Sequence, residues 1–171
     1  GNVSDGISLL REAELPQPLK MKLITYVLTV RKNNETMNAA IPEIYHLLED
    51  IDVVPVLLKG QGVAQNYRDP LSRQSGDVDL YIPDTQQIAE AYKLCQQKMK
   101  MLEPLTTDTM EAVFQYRHVV VELHGRINAY VNKTLERRFP AWCDAMFREE
   151  MERKVCVGDG FAVLPPLRLD L

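Results

Sequence analysis

Asp77 and Asp79 stand two positions apart in "GDVDLYI", a segment whose polar and apolar residues alternate as they do in a strand. Strand side chains point alternately to the two faces, so the carboxylates share one face and Val78 and Leu80 take the other. Two such groups roughly 7 Å apart on a half-buried face repel each other and lose hydration. A divalent cation is the simplest compensation. Mg²⁺ prefers oxygen ligands and typically takes one or two carboxylates, with phosphate and water completing its shell. A third acid, Glu122, follows three valines in "VVVELH". A neighbouring strand carrying it beside Asp77 and Asp79 would complete a three-carboxylate metal site. The plainer alternative has the aspartates solvated or capping at a strand end and Glu122 facing water from an edge strand.

The residues around these acids suit an anionic ligand. Gly60 ends the apolar run "VVPVLLK" and permits a tight turn with close backbone approach. Lys59 and Arg73 bring cations to either side, and Gly76 directly precedes the first aspartate. Lys59 either contacts phosphate or snorkels from a strand end. Arg73 reaches either a phosphate or Asp77. His124 lies two residues beyond Glu122 on the same face, as a metal neighbour, a base or a structural histidine, and Arg126 continues that face. His46 and His118 have no such company and read as structural. Trp142 reads as core, and Glu136–Arg138 as a solvated helix face. "GQGVAQ" has Gln65 where a dinucleotide fingerprint needs a small third residue. Walker A, GxSxG, HExxH and EF-hand patterns are absent.

The elements that must position these residues read as α+β, with helices first and a mixed sheet after. Ser4 or Asp5 is expected to cap a first helix, "QPLKMKLITYVLTVRKN" to continue in helical spacing, and Asn34 to cap another helix with a kink or restart at Pro42. Residues 53–59 form a buried strand, "GVAQNYRD" a short helix before Pro70, and 77–82 a second strand. Pro83 and Asp84 open an amphipathic helix. "EAVFQYR" and "HVVVELHGRI" make one hairpin, and "VCVGDGFAVL" another about Gly-Asp-Gly. Between them a helix is expected, broken near Pro140. Residues 1–50 form an N-terminal helical segment packed on a core at 51–171, and the apolar end "VLPPLRLDL" raises the expectation that the native chain continues past Leu171.

With 171 residues, 46% hydrophobic, the chain suits one compact core. A formal charge of −4 gives no basis for binding long nucleic acid. No apolar run approaches the length of a membrane span, and the first residues lack the regions of a signal peptide. Cys95, Cys143 and Cys156 show no ligand spacing and read as reduced thiols, which points to the cytoplasm. Oligomeric state has no readable signal.

Taken in combination, Leu58-Lys59-Gly60, then Arg73 ahead of Gly76-Asp77-Val78-Asp79-Leu80, then Val121-Glu122-Leu123-His124, resemble the DNA polymerase β-type nucleotidyltransferase superfamily. The closer resemblance is to its little-characterised bacterial branch, over residues 54–127. It implies a nucleotidyltransferase-like mixed sheet flanked by helices, with Asp77, Asp79 and Glu122 as catalytic ligands of two Mg²⁺ or Mn²⁺ ions. Lys59, Gly60, Gln61, Arg73 and Gly76 would face a nucleoside triphosphate, whose nucleoside monophosphate passes to a hydroxyl of a small molecule or protein. The chain departs from the pattern in having Gly60-Gln61 where Gly-Ser or Gly-Gly is common, Glu122 in place of Asp, and Gly125 in place of an aromatic. The alternative function on the same fold is a non-catalytic nucleotide-sensing or protein-interaction module of the toxin–antitoxin kind. A purely structural domain is the third reading.

Overall fold

The computed structural model describes residues 3–126, 138, 139, 142 and 153–164. The helix expected around Pro140, with Cys143, falls almost wholly outside them. Trp142 does fall within them and corrects one expectation: it is 42% exposed, its ring beside that of Phe139, rather than buried in the core.

Two helices open the chain, α1 (Val3–Glu12) and α2 (Gln17–Glu49). Ser4 and Asp5 lie inside α1 rather than capping it. α2 starts after Pro16, with Pro18 in its first turn, where a missing N–H costs nothing. It then runs unbroken past both Asn34 and Pro42, so the expected cap and restart do not occur. Both residues make tertiary contacts instead. The Asn34 side chain hydrogen-bonds a distant loop instead of its own helix end. The Pro42 ring fills space left open by Gly160, where an added Cβ would lie 2.5 Å from the proline Cβ. From Asn34 onward α2 buries Met37, Ala40, Ile41, Ile44, Tyr45 and Leu48, a helical stripe facing the sheet.

Among the described residues the sheet has seven strands: β1 (Val56–Leu58), β2 (Asp77–Tyr81), β3 (Lys100–Glu103), β4 (Glu111–Tyr116), β5 (Val119–His124), β6 (Lys154–Val157) and β7 (Gly160–Val163). Their order is β3-β4-β5-β2-β1-β7-β6, with β2–β5 and β1–β7 parallel and the other pairs antiparallel. Both expected hairpins, β4–β5 and β6–β7, form. β3 was not foreseen, because all four of its residues are exposed at the sheet edge and carry no inside–outside alternation. Between β1 and β2 come the short helix α3 (Lys59–Ala64) and a 3-10 turn at Pro70–Ser72. α4 (Thr85–Lys98) is capped by Asp84, whose carboxylate accepts from the backbone N–H groups of Gln86 and Gln87.

This is the expected α+β architecture, a mixed sheet flanked by helices. Leu57, Leu80, Phe114, Val121 and Leu123 are fully buried at its centre, with Ile41, Ile44 and Leu48 of α2 and Ile88 of α4. Among the described residues no helix is long and apolar enough to cross a membrane.

Candidate functional site

β2 and β5 lie side by side in parallel, and their register places Asp79 opposite Glu122 and Tyr81 opposite His124. Residues so paired point to the same face, so the polar residues of the two strands gather on one side. Val78, Leu80, Val121 and Leu123 occupy the other and are buried. β2 is covered more fully than a half-buried strand: Asp79 is 1% exposed, while Asp77, at the strand's start, is half-buried. The antiparallel hairpin adds one more acid. The two-residue turn between Tyr116 and Val119 fixes a register in which Glu111 faces His124.

Asp79 is the most constrained group of the cluster. Its Oδ1 lies 2.9 Å from the Lys59 Nζ and 2.9 Å from the His124 Nε2. Burial by itself would raise its pKa, but the bonds from His124 and Lys59 outweigh burial and hold it below the ordinary aspartate value. Glu122 shifts the opposite way, raised first by burial and then by the charges of Asp79 and Asp77. Burial would lower the Lys59 ammonium, yet its bond to Asp79 and the charges of Asp79, Glu122 and Asp77 leave it raised. His124 also stands 3.4 Å from Glu122 Oε2 and 3.7 Å from Glu111 Oε1, so it bridges three carboxylates.

The turn at the start of α3 runs against the start of β2. Lys59 (φ 44°) and Gly60 (φ 23°) both have left-handed backbone, a conformation a residue other than glycine seldom holds. A Cβ on Gly60 would sit 3.1 Å from the Asp77 carbonyl oxygen, so the glycine lets the turn approach the aspartate strand. Gln61 is 1% exposed and turned inward, donating from Nε2 to the Asn34 Oδ1 at 3.1 Å. Asn34, in mid-helix and fully buried, donates in turn to the carbonyls of Leu71 (2.8 Å) and Arg73 (2.6 Å). The Arg73 guanidinium keeps to its own loop, donating to the Gln74 carbonyl and the Ser75 hydroxyl rather than to Asp77. Gly76 is exposed, with open space where a Cβ would go. Arg126 donates to the Asp108 carbonyl. Gly125 has no room for the aromatic common in the pattern it resembles, since even a Cβ would come 2.8 Å from Ile88 and 2.9 Å from Met110.

Asp79, Glu122 and His124 each offer one ligand atom, and these atoms all lie within 4.8 Å of one another. The sequence reading grouped Asp77 with Asp79 and Glu122. In the structure Asp77 stands outside this tight group, while His124, read as a metal neighbour, a base or a structural histidine, stands inside it. Asp79 shows how well the set fits a cation: its Oδ2 is buried with no hydrogen-bond partner among the described residues. An unpaired carboxylate oxygen in a closed site is costly unless a cation meets it. Carboxylate oxygens suit Mg²⁺ or Mn²⁺, and His124 orients Asp79 from its other oxygen. Glu111 was overlooked although hairpin register alone places it beside His124. Asn34 carried no signal, because its partners are nearly forty residues away in sequence.

None of the curated proteins matches this chain. The profile of the uncharacterised nucleotidyltransferase family matches residues 2–169, with the acid-bearing strands, the glycine turn and α2 all inside the match. Membership in such a family carries with it a nucleotide substrate and suggests a divalent metal, to which the carboxylate–histidine group corresponds. The chain belongs to the uncharacterised nucleotidyltransferase family.

Proposed function

We propose that this protein is a metal-dependent nucleotidyltransferase that moves a nucleoside monophosphate from a nucleoside triphosphate to a hydroxyl acceptor. One observation carries the metal dependence: the unpartnered, buried Oδ2 of Asp79, with Glu122 one strand away. Asp79 and Glu122 would hold the cation, and Asp77, whose charge already raises Glu122, would complete the carboxylate set at the open end of β2. Two Mg²⁺ or Mn²⁺ ions so held would neutralise charge on the attacking and leaving oxygens of an in-line phosphoryl displacement. His124 fixes the rotamer of Asp79. The backbone at Gly60 and Gln61, with Lys59, Arg73 and the open position at Gly76, would take up the triphosphate. Glu122 would act as a ligand of the cation or as the base that accepts the proton of the acceptor hydroxyl.

The alternative, a nucleotide-sensing or protein-interaction module on the same fold, has one observation in its favour. Gln61 stands where a phosphate-binding hydroxyl is common, and its side chain is spent on Asn34. Release of pyrophosphate from a nucleoside triphosphate separates the two, because only the transferase produces it.

Thermal unfolding with each nucleoside triphosphate, with and without Mg²⁺ or Mn²⁺, tests the site itself. A ligand at about 100 times its Kd stabilises by about 2.7 kcal/mol. At this chain length that raises Tm by roughly 5–10 °C. The shift should require metal and vanish in the Asp77→Asn/Asp79→Asn double variant. No metal-dependent shift with any nucleotide would refute the reading.

A further inference from the structure

We propose that the Lys59 ammonium competes directly with a divalent cation for Asp79, and that the metal, on binding, releases Lys59 to the triphosphate. The inference rests on the metal reading above and adds to it a moving part. Its basis is the arrangement around Asp79, which is buried and reached from two sides. His124 approaches from β5, 11% exposed and held among Asp79, Glu122 and Glu111, so it has little freedom to leave. Lys59 approaches from the turn with its side chain 58% exposed and its Nζ 2.9 Å from Asp79 Oδ1.

Lys59 therefore does for this cluster what a metal ion would do. Its charge acts on Asp79, Glu122 and Asp77 together, the same three carboxylates that would hold the ion. A divalent cation seated between Asp79 and Glu122 would lie within a few ångströms of that ammonium. Two cations at such range on one carboxylate repel, less strongly where one of them faces solvent. The flexible, solvent-facing lysine on Oδ1 is the cation able to move, and its departure relieves the repulsion while the ion keeps the Oδ2 that no hydrogen bond occupies. The turn determines where it goes. Left-handed backbone at Lys59 and Gly60 starts the side chain at the edge of the site, beside the glycine backbone that would face phosphate. An ammonium displaced from Asp79 thus remains within reach of an anion bound there.

The exchange makes two predictions of opposite sign for one substitution. Lys59→Met keeps the length and apolar stem but removes the charge. Mn²⁺ alone, followed by calorimetry or by loss of its free-ion spin resonance signal, should bind Lys59→Met about tenfold or more tightly than wild type, because no ammonium has to be displaced. Lys59→Arg, which keeps the charge, should bind Mn²⁺ no more tightly than wild type. At saturating Mn²⁺, inorganic tripolyphosphate should bind Lys59→Met more weakly than wild type, since the released cation is missing. The Mn²⁺-induced rise in Tm should also be larger in Lys59→Met, which confirms that the variant is folded. Mn²⁺ affinity that is equal or lower in folded Lys59→Met, with wild type still binding Mn²⁺, overturns the competition and leaves the metal reading intact. Tripolyphosphate binding equally to both overturns the release step. Absence of Mn²⁺ binding in wild type and Lys59→Met alike overturns this proposal and the metal reading with it.

Discussion

Asn34→Ala should be among the more damaging single substitutions outside the acid cluster, although Asn34 touches none of the acids. Asn34 is fully buried in the middle of α2, and its amide joins three segments: it donates to the carbonyls of Leu71 and Arg73 and accepts from Gln61. Truncation takes the Oδ1 acceptor from the Gln61 Nε2 in a site 1% exposed and leaves only its longer contact to the Asn34 carbonyl (3.4 Å), which costs about 1–3 kcal/mol. The two loop carbonyls belong to half-exposed residues and can be rehydrated, so each lost bond costs about 0.5–1.5 kcal/mol. Alanine recovers roughly 0.5 kcal/mol of helix propensity. The net loss is about 3 kcal/mol, or roughly 6–12 °C in Tm for a chain of this size. Asn34→Asp should be worse, because it sets a carboxylate against two carbonyl oxygens. Urea and thermal unfolding measure the loss, and hydrogen exchange locates it. Protection should fall in residues 66–76, the loop that α2 also grips through Tyr26–Gln74 (2.6 Å) and Arg31–Asp69 (3.3 Å). A folded Asn34→Ala within about 0.5 kcal/mol of wild type, with unchanged exchange in that loop, would refute the argument that these hydrogen bonds hold it.

Three further outcomes follow from the titrating groups. Glu122 has its pKa raised by folding, so the folded chain binds this proton more tightly than the unfolded one. Stability is therefore lost as pH rises from the ordinary glutamate range through the raised value, and Glu122→Gln should gain urea stability over wild type at about pH 7 but not near pH 3. Asp79 has the opposite sign, lowered by His124 and Lys59 against its burial. Its contribution is present above the ordinary aspartate range and lost on acidification, so Asp79→Asn should lose stability near neutrality and much less in acid. Burial pushes the Cys95 thiol up to about 12, whereas Cys156 is exposed. Maleimide labelling read by peptide mass spectrometry at neutral pH should modify Cys156 and spare Cys95 until the protein unfolds. Labelling of Cys95 at the rate of Cys156 in the folded protein would contradict its burial.

Local pattern alone carried much of this protein. The period-two alternation at Asp77–Leu80 put two acids on one strand face, and the valines around Glu122 marked a second strand inside the core. Gly60 marked the turn, Asp84 the start of α4, and closely spaced β-rich runs the two hairpins. These features depend on neighbours within a few residues, where backbone geometry and side-chain alternation leave few choices. Local pattern did not reveal that β2 lies beside β5, because their parallel pairing joins segments more than forty residues apart with no connecting turn to set register. That pairing put Glu122 against Asp79 and drew His124 in among the acids. Other long-range contacts buried an asparagine with the look of a helix cap as the brace of a distant loop, and set the ring of Pro42 against Gly160 within a helix that continues past it. Residue types and local spacing singled out Asp77, Asp79, Glu122 and His124 as candidates. Tertiary structure alone decided which of them meet, because long-range packing and the need to satisfy buried polar groups outweigh local propensity.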